Sequence, residues 1–91
     1  MCAKRVVITG LGVVTPLGET VDAFWTALVS GESGIGPMTQ CDSSLYPCRI
    51  AGEVRGFDPS EYISGRDARR MARFSQLAVV AGLQAVKSAN L

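Results

Sequence analysis

The sequence predicts an α/β fold that is incomplete within its 91 residues. Arg5–Val14 carries β-branched residues on both alternating faces, which is typical of a strand buried on both sides in a layered sheet. Apolar residues follow at helical spacing in Val21–Leu28, and Gly65–Leu91 has the pattern of one long helix. The second half of that helix, LAVVAGLQAV, is apolar on almost every side, so it requires more surrounding protein than this chain supplies.

Turn and cap residues delimit the elements of the first half of the chain. The stretch Thr15–Gly18 predicts a turn, because its proline removes a ladder donor and its glycine relaxes the backbone. Thr20 is a favourable N-cap for the helix that follows, and Gly31 predicts the C-terminal stop of that helix. The next stretch, GESGIGPMTQCDSSLYP, is dense in glycine, proline and serine and predicts an irregular connection.

Two short elements are predicted before the long helix. CRIAGEV alternates apolar and small residues, as a short strand does. FDPSEYI predicts a single capped helical turn, with Asp58 as N-cap, Pro59 at the first helical position and Glu61 at the third.

The composition is that of a core-forming chain without a dominant charge. Hydrophobic residues make up 47% and charged residues 19%, and the net charge is +1. This balance argues against binding to nucleic acid or to a membrane surface through bulk charge. No stretch reaches the roughly 18 apolar residues of a membrane span, and the N-terminal apolar run is too broken for a secretory signal. We therefore expect a cytoplasmic protein with no membrane and no nucleic-acid partner.

Cysteine and histidine usage excludes several kinds of site. The three cysteines are Cys2, Cys41 and Cys48, and the chain has no histidine. These residues cannot supply a tetrahedral zinc set, so no metal site and no cofactor site is expected. Reduced thiols are the preferred interpretation, although Cys41 and Cys48 are free to pair in principle. Without histidine, neither a Cys-His nor a Ser-His pair can form, so no catalytic residue is predicted within this chain.

The stretch ITGLGVVTPLG resembles a nucleotide-binding turn but departs from it where phosphate would bind. A dinucleotide fingerprint requires G-x-G-x-x-G, and Thr15 stands in the third glycine position here. Pro16 also withdraws an amide that a phosphate would use. We interpret Gly10 and Gly12 instead as positions where another part of the protein approaches the backbone closely.

The strongest charge feature is an arginine stripe on the predicted long helix. Arg66, Arg69, Arg70 and Arg73 follow i, i+3, i+4 and i+7 spacing, with Asp67 as the one acid among them. A solvated helix face is the ordinary explanation of such a stripe. The shortage of acidic neighbours favours the alternative, which is a surface for an acidic or phosphorylated partner.

Four segments together resemble a known family. RVVITGLGVVTPLG, FWTALVSGESGI, AGEV and DARRMARFSQ, in this order and spacing, resemble the N-terminal part of β-ketoacyl-[acyl-carrier-protein] synthases. The elongating type II enzyme of bacterial fatty acid synthesis is the best match. The resemblance implies a thiolase-like α/β fold of which residues 1–91 are the N-terminal segment of the first half, an incomplete domain. It also implies that Arg5–Val14 is a core strand.

The resemblance further implies an acyltransferase that extends acyl chains on acyl carrier protein by decarboxylating Claisen condensation. The family's catalytic cysteine and two histidines lie C-terminal to this region, and none of the three cysteines here matches them. The 91-residue chain alone is therefore expected to be inactive. The family forms homodimers, and its partner is acyl carrier protein loaded with acyl or malonyl groups on phosphopantetheine.

One functional element of the family falls within the chain. Family members place basic residues of the carrier-protein dock at positions that match Arg66, Arg69 and Arg70. Arg73 matches no basic family position and is expected to be incidental, whereas Asp67 is expected to weaken docking. Two alternatives remain open: a polyketide ketosynthase or its chain-length partner, and a truncated, non-catalytic protein that binds the carrier.

Overall fold

The computed structural model describes residues 3–91, in which four helices and one hairpin follow an extended N-terminal segment. The segment 3–14 is extended without a strand partner, and a turn at 15–18 follows it. No helix in this part of the chain is long and apolar enough to cross a membrane. The elements in order are α1 (Val21–Val29), β1 (Ile35–Pro37), β2 (Ile50–Gly52), a 3-10 helix (Pro59–Glu61), α2 (Gly65–Ala68) and α3 (Arg73–Ser88).

The predicted caps and turn are confirmed. The Thr20 hydroxyl accepts a hydrogen bond from the Ala23 N–H at the start of α1, and Gly31 takes a positive φ of 77° just after its end. Asp58 caps the 3-10 helix by accepting from the Ser60 N–H. In the turn, the Thr15 N–H donates to the Gly18 carbonyl at 2.9 Å. Local side-chain chemistry therefore decides these boundaries.

The extended segment lies against α3, and two glycines allow the contact. A Cβ on Gly10 would meet the backbone of Ala85 and Ala89, and a Cβ on Gly12 would meet the backbone of Ala81 and Ala85. The interpretation of these glycines as points of close approach is confirmed. Helix backbone therefore occupies the space beside Gly10 and Gly12.

Side chains of α3 also hold the segment by hydrogen bonds. The Val13 N–H donates to Gln84 Oε1 at 3.2 Å, and the Leu11 N–H donates to Ser88 Oγ at 3.4 Å. Gln84 Nε2 donates in turn to the Glu19 carbonyl at 2.5 Å, beyond the turn. One glutamine thus ties both sides of the turn to the helix.

The prediction of a core strand at Arg5–Val14 is wrong for the chain as the structure describes it. Within residues 3–91 no strand pairs with this segment, and Val6 and Ile8 are 93% and 81% exposed. The backbone is extended, as β-branched residues favour, but a ladder needs neighbouring strands. The one sheet among residues 3–91 is the hairpin of β1 and β2, which does not include this segment.

That hairpin contains a predicted strand and one that sequence analysis missed. β2 confirms the strand predicted in CRIAGEV, whereas β1 lies in the stretch interpreted as an irregular connection. The two strands are antiparallel, with Ile35 opposite Gly52 and Pro37 opposite Ile50. The sequence of β1, IGP, has low strand propensity, so its conformation depends on the partner strand.

Glu53 anchors the loop that leaves β1. Its carboxylate accepts hydrogen bonds from the Gln40 N–H at 2.9 Å and from the N–H and hydroxyl of Thr39 at 3.0 and 2.9 Å. Arg55 Nη2 adds an ion pair at 3.4 Å, and 9% of the Glu53 side chain is exposed. The Gln40 hydrogen bond is the main cause of a lowered pKa of Glu53, while burial opposes the shift. This carboxylate therefore favours the folded loop when charged.

The hydrophobic core of the described chain is small. Among residues 3–91 the buried hydrophobic side chains are Ala27, Ile63 and Val80. The radius of gyration is 16.5 Å, against roughly 12 Å for a compact chain of this length. The expectation that the chain requires surrounding protein agrees with this expanded shape.

We expect the isolated 91-residue chain to be insoluble or molten, because three buried side chains cannot offset the conformational entropy lost on folding. The measurement is thermal unfolding followed by near-UV circular dichroism, with the concentration varied. A cooperative transition at the same temperature at every concentration would contradict the prediction, because it would show a folded monomer.

Candidate functional site

The long helix predicted from Gly65 is interrupted, and this changes the arginine stripe. Ala72 takes φ −65° and ψ 156°, an extended conformation that separates α2 from α3. The prediction of one continuous helix, and of four arginines on one helix face, is therefore wrong. Arg66, Arg69 and Arg70 belong to α2 and the turn after it, whereas Arg73 begins α3.

The Arg73 side chain makes contacts within the chain. Its Nη2 donates to the Val54 carbonyl at 2.6 Å, and its guanidinium carbon lies 5.5 Å from the centre of the Phe57 ring. The break at Ala72 separates α2 from α3, and Arg73 makes these contacts from the first position of α3. These tertiary contacts outweigh the local preference for a continuous helix.

The other three arginines form what we call the arginine turn: Arg66, Arg69 and Arg70. All three are exposed, and within residues 3–91 their side chains make no hydrogen bond or ion pair. Ser64 caps α2 by accepting from the Asp67 N–H at 3.2 Å, and the Arg69 N–H donates to the Gly65 carbonyl at 3.1 Å. The backbone that carries the guanidinium groups is therefore ordered by its own bonds.

The chemistry available to the arginine turn is recognition of anions. A guanidinium group presents planar N–H donors that match carboxylates and phosphates, and it stays charged at every physiological pH. Asp67, also exposed, lies in sequence between Arg66 and Arg69 and offsets part of their charge.

Gln76 is a contributor that sequence analysis missed. From the first turn of α3 its Nε2 donates to the Ala68 carbonyl at 2.8 Å and lies 3.5 Å from the Met71 carbonyl. These two carbonyls flank the Arg69–Arg70 pair along the chain. No sequence signal identified it, because its partner carbonyls lie beyond a helix break that the sequence pattern does not reveal.

The cysteines offer no comparable site. Cys41 and Cys48 are exposed free thiols, so the pairing that the sequence left open is not present, and Cys2 lies outside the described residues. Within residues 3–91 no group of three or more histidine, cysteine, aspartate or glutamate residues is placed to hold a metal ion. The arginine turn is thus the best candidate for a functional surface.

Comparison with known proteins decides the family. The family model for the β-ketoacyl synthase N-terminal domain matches residues 3–91. The chain belongs to the β-ketoacyl synthase family. The resemblance carried by the four sequence segments is confirmed.

Several relatives are 3-oxoacyl-[acyl-carrier-protein] synthases. Synthase 2 of Synechocystis sp. is 47% identical over 88 residues, which are 97% of this chain and 21% of the relative. Synthase 2 of Vibrio cholerae is 43% identical over 91 residues, 100% of this chain and 22% of the relative. The chloroplastic synthase I of Arabidopsis thaliana is 47% identical over 97% of this chain and 19% of its own length. The chain thus spans about a fifth of the length of these relatives.

A solved ketosynthase has the same fold over this region. The ishigamide ketosynthase/chain length factor superposes with a TM-score of 0.84 at 35% identity, over 93% of this chain and 21% of that chain. The described β-ketoacyl synthase chain therefore has the conformation of the matching part of a larger ketosynthase.

Proposed function

We propose that the chain is the N-terminal segment of a 3-oxoacyl-[acyl-carrier-protein] synthase of fatty acid synthesis, within the first half of a thiolase-like domain. The observation that carries the proposal is 43–47% identity to such synthases along essentially the whole chain. The exposed apolar residues of the segment 3–14 support it, because they suit a sheet completed by the rest of the enzyme.

The reaction proposed for the complete enzyme is a decarboxylating Claisen condensation. A cysteine thiolate takes the acyl group from the carrier's phosphopantetheine thiol and forms a thioester. Malonyl-carrier protein then loses CO₂, and the resulting enolate carbon attacks the acyl carbonyl. The cysteine thiolate leaves, and the longer 3-oxoacyl chain remains on the carrier. Two histidines assist decarboxylation and stabilise the enolate, whose developing charge needs fixed hydrogen-bond donors.

In this proposal the segment contributes scaffold and part of the carrier-protein dock. Arg66, Arg69 and Arg70 would receive the acidic surface of acyl carrier protein, which delivers the acyl group to the enzyme and carries the malonyl group that is condensed with it. Their exposure and lack of intramolecular partners within residues 3–91 support this role, since each guanidinium is available to a carboxylate. The synthase is proposed to act as a homodimer, as its family does.

A polyketide ketosynthase or its chain-length partner is the second candidate. The structural similarity to the ishigamide ketosynthase/chain length factor favours it. The lower identity of that match, 35% against 43–47% for the fatty acid synthases, favours the first candidate.

The test of the proposed function begins with the gene beyond the codon for Leu91. We expect an open frame that encodes one cysteine and two histidines at the family's spacing. The purified product should convert acyl- and malonyl-carrier protein into CO₂, a 3-oxoacyl-carrier protein and free carrier protein in one round. Poly-β-keto products from repeated rounds would support the second candidate. A frame without the cysteine would indicate a chain-length partner, and a stop codon after Leu91 would indicate a non-catalytic carrier-binding protein.

A further inference from the structure

The position of the arginine turn relative to α3 depends on side chains, because the helical backbone does not continue between them. α2 ends at Ala68, and α3 begins at Arg73 after the extended residue Ala72. Ala72 provides no side-chain cap for α3. A continuous helix would fix the angle between its two halves through its ladder of hydrogen bonds, and here that ladder is interrupted.

Gln76 bridges this interruption. Its Nε2 donates to the Ala68 carbonyl, the last of α2, at 2.8 Å and reaches toward the Met71 carbonyl at 3.5 Å. The Ala68 carbonyl also accepts from the Met71 N–H at 3.1 Å. The two ends of the segment that carries Arg69 and Arg70 are therefore bonded to α3 through one amide group, on a residue that is half-buried.

The other side-chain contacts at this junction join α3 to residues outside α2. Arg73 connects α3 to the backbone at Val54 and to the Phe57 ring. Among the side-chain hydrogen bonds of residues 3–91, the bond from Gln76 is the one that joins α3 to α2. Loss of the Gln76 bond would leave the Arg73 contacts in place and would remove the side-chain hydrogen bond between α3 and α2.

We propose that Gln76 is a positioning residue for carrier-protein docking, which it serves by holding the Arg69–Arg70 segment in the orientation that meets the partner. The inference rests on the proposed docking function of the arginine turn. Arginines on a mobile segment lose conformational entropy when they bind a partner, and this loss weakens binding. A backbone that is already fixed loses less entropy on binding. Gln76 touches neither substrate nor carrier in this proposal.

The test compares substrates in the complete synthase. Gln76→Met keeps the length of the side chain and removes the N–H donor, so the KM for acyl-carrier protein should rise about three- to tenfold, as expected for one lost hydrogen bond. The KM for a small acyl thioester and kcat should stay unchanged. Gln76→Lys retains an N–H donor and should restore the carrier KM to within about twofold of the original.

Gln84→Met is the matched control for general destabilisation. Gln84 lies on the same helix and donates to the Glu19 carbonyl at 2.5 Å, far along the chain from the arginine turn. This variant should lower the melting temperature without a carrier-specific rise in KM. If Gln76→Met is insoluble, Gln76→Glu replaces it, because a carboxylate of equal length repels both carbonyls. This variant should also raise the KM for acyl-carrier protein and leave the KM for the small thioester unchanged.

The outcomes separate the two proposals. If Arg69→Glu with Arg70→Glu raises the carrier KM and no Gln76 variant does, the positioning role is wrong and docking stands. If neither change affects the carrier KM, docking itself is wrong and the positioning role falls with it. A carrier-specific rise in Gln84→Met as large as that in Gln76→Met would also overturn the positioning role, because it would show that any loosening of α3 has this effect.

Discussion

Replacement of both Arg69 and Arg70 by glutamate is expected to raise the KM of the complete synthase for acyl-carrier protein roughly 10- to 100-fold. Both side chains are exposed, and within residues 3–91 neither has an intramolecular partner, so their charge is free to act on a docking protein. Each substitution converts an attraction for an acidic surface into a repulsion. The measurement is steady-state kinetics with acyl-carrier protein and, separately, with a small acyl thioester that needs no docking.

The small thioester should be used as well by the double variant as by the original enzyme. Arg49→Glu with Lys87→Glu provides the control, because it makes the same change in net charge at exposed positions outside the arginine turn. An equal loss with both substrates would show that the turn is structural. The KM increase should also shrink as salt is raised from low to physiological concentration, since exposed charges are screened.

Replacement of Gly12 by alanine is expected to lower the free energy of unfolding of the complete protein by at least about 1–3 kcal/mol. The added Cβ would meet the Ala81 carbonyl oxygen and would lie 2.7 Å from the Ala85 nitrogen and 2.8 Å from Gln84 Cβ. Helix backbone cannot move aside as a flexible side chain can, so the segment 3–14 would have to leave α3. The measurement is the apparent melting temperature together with the soluble fraction after expression.

Gly65→Ala is the control for this substitution. Apart from its chain neighbours and its own helix backbone, no atom of residues 3–91 lies within 4 Å of a Cβ at Gly65, the first residue of α2. Alanine should therefore be tolerated there and should slightly favour the helix. A Gly12→Ala protein as stable as the original would mean that the segment 3–14 does not lie against α3 in the complete protein.

Local signals in the sequence predicted the helix caps and turns correctly because the interactions involved span only a few residues. Thr20 and Asp58 bond to amides three and two positions ahead, and Gly31 supplies a positive φ that other residues rarely adopt. β1 was missed because IGP has no strand preference of its own and forms a strand through pairing with β2.

The sequence identified the residues of the candidate site but did not predict how they are arranged in space. The exposed cations Arg66, Arg69 and Arg70 were identified from spacing and from the family resemblance, and their docking role stays a prediction. The separation of Arg73 from them was not predictable, because it depends on a carbonyl 19 positions earlier and on the Phe57 ring.

By itself the sequence determined the family resemblance, the caps of α1 and the 3-10 helix, and the need of Gly10 and Gly12 for a close neighbour. Those properties follow from backbone conformation and side-chain chemistry within short stretches. Only the tertiary structure decided which element fills the space at the glycines, where the long helical pattern breaks, and that Gln76 bonds to the Ala68 carbonyl across that break. Such outcomes depend on contacts between distant residues, whose combined energy exceeds the small differences in local propensity that a sequence displays.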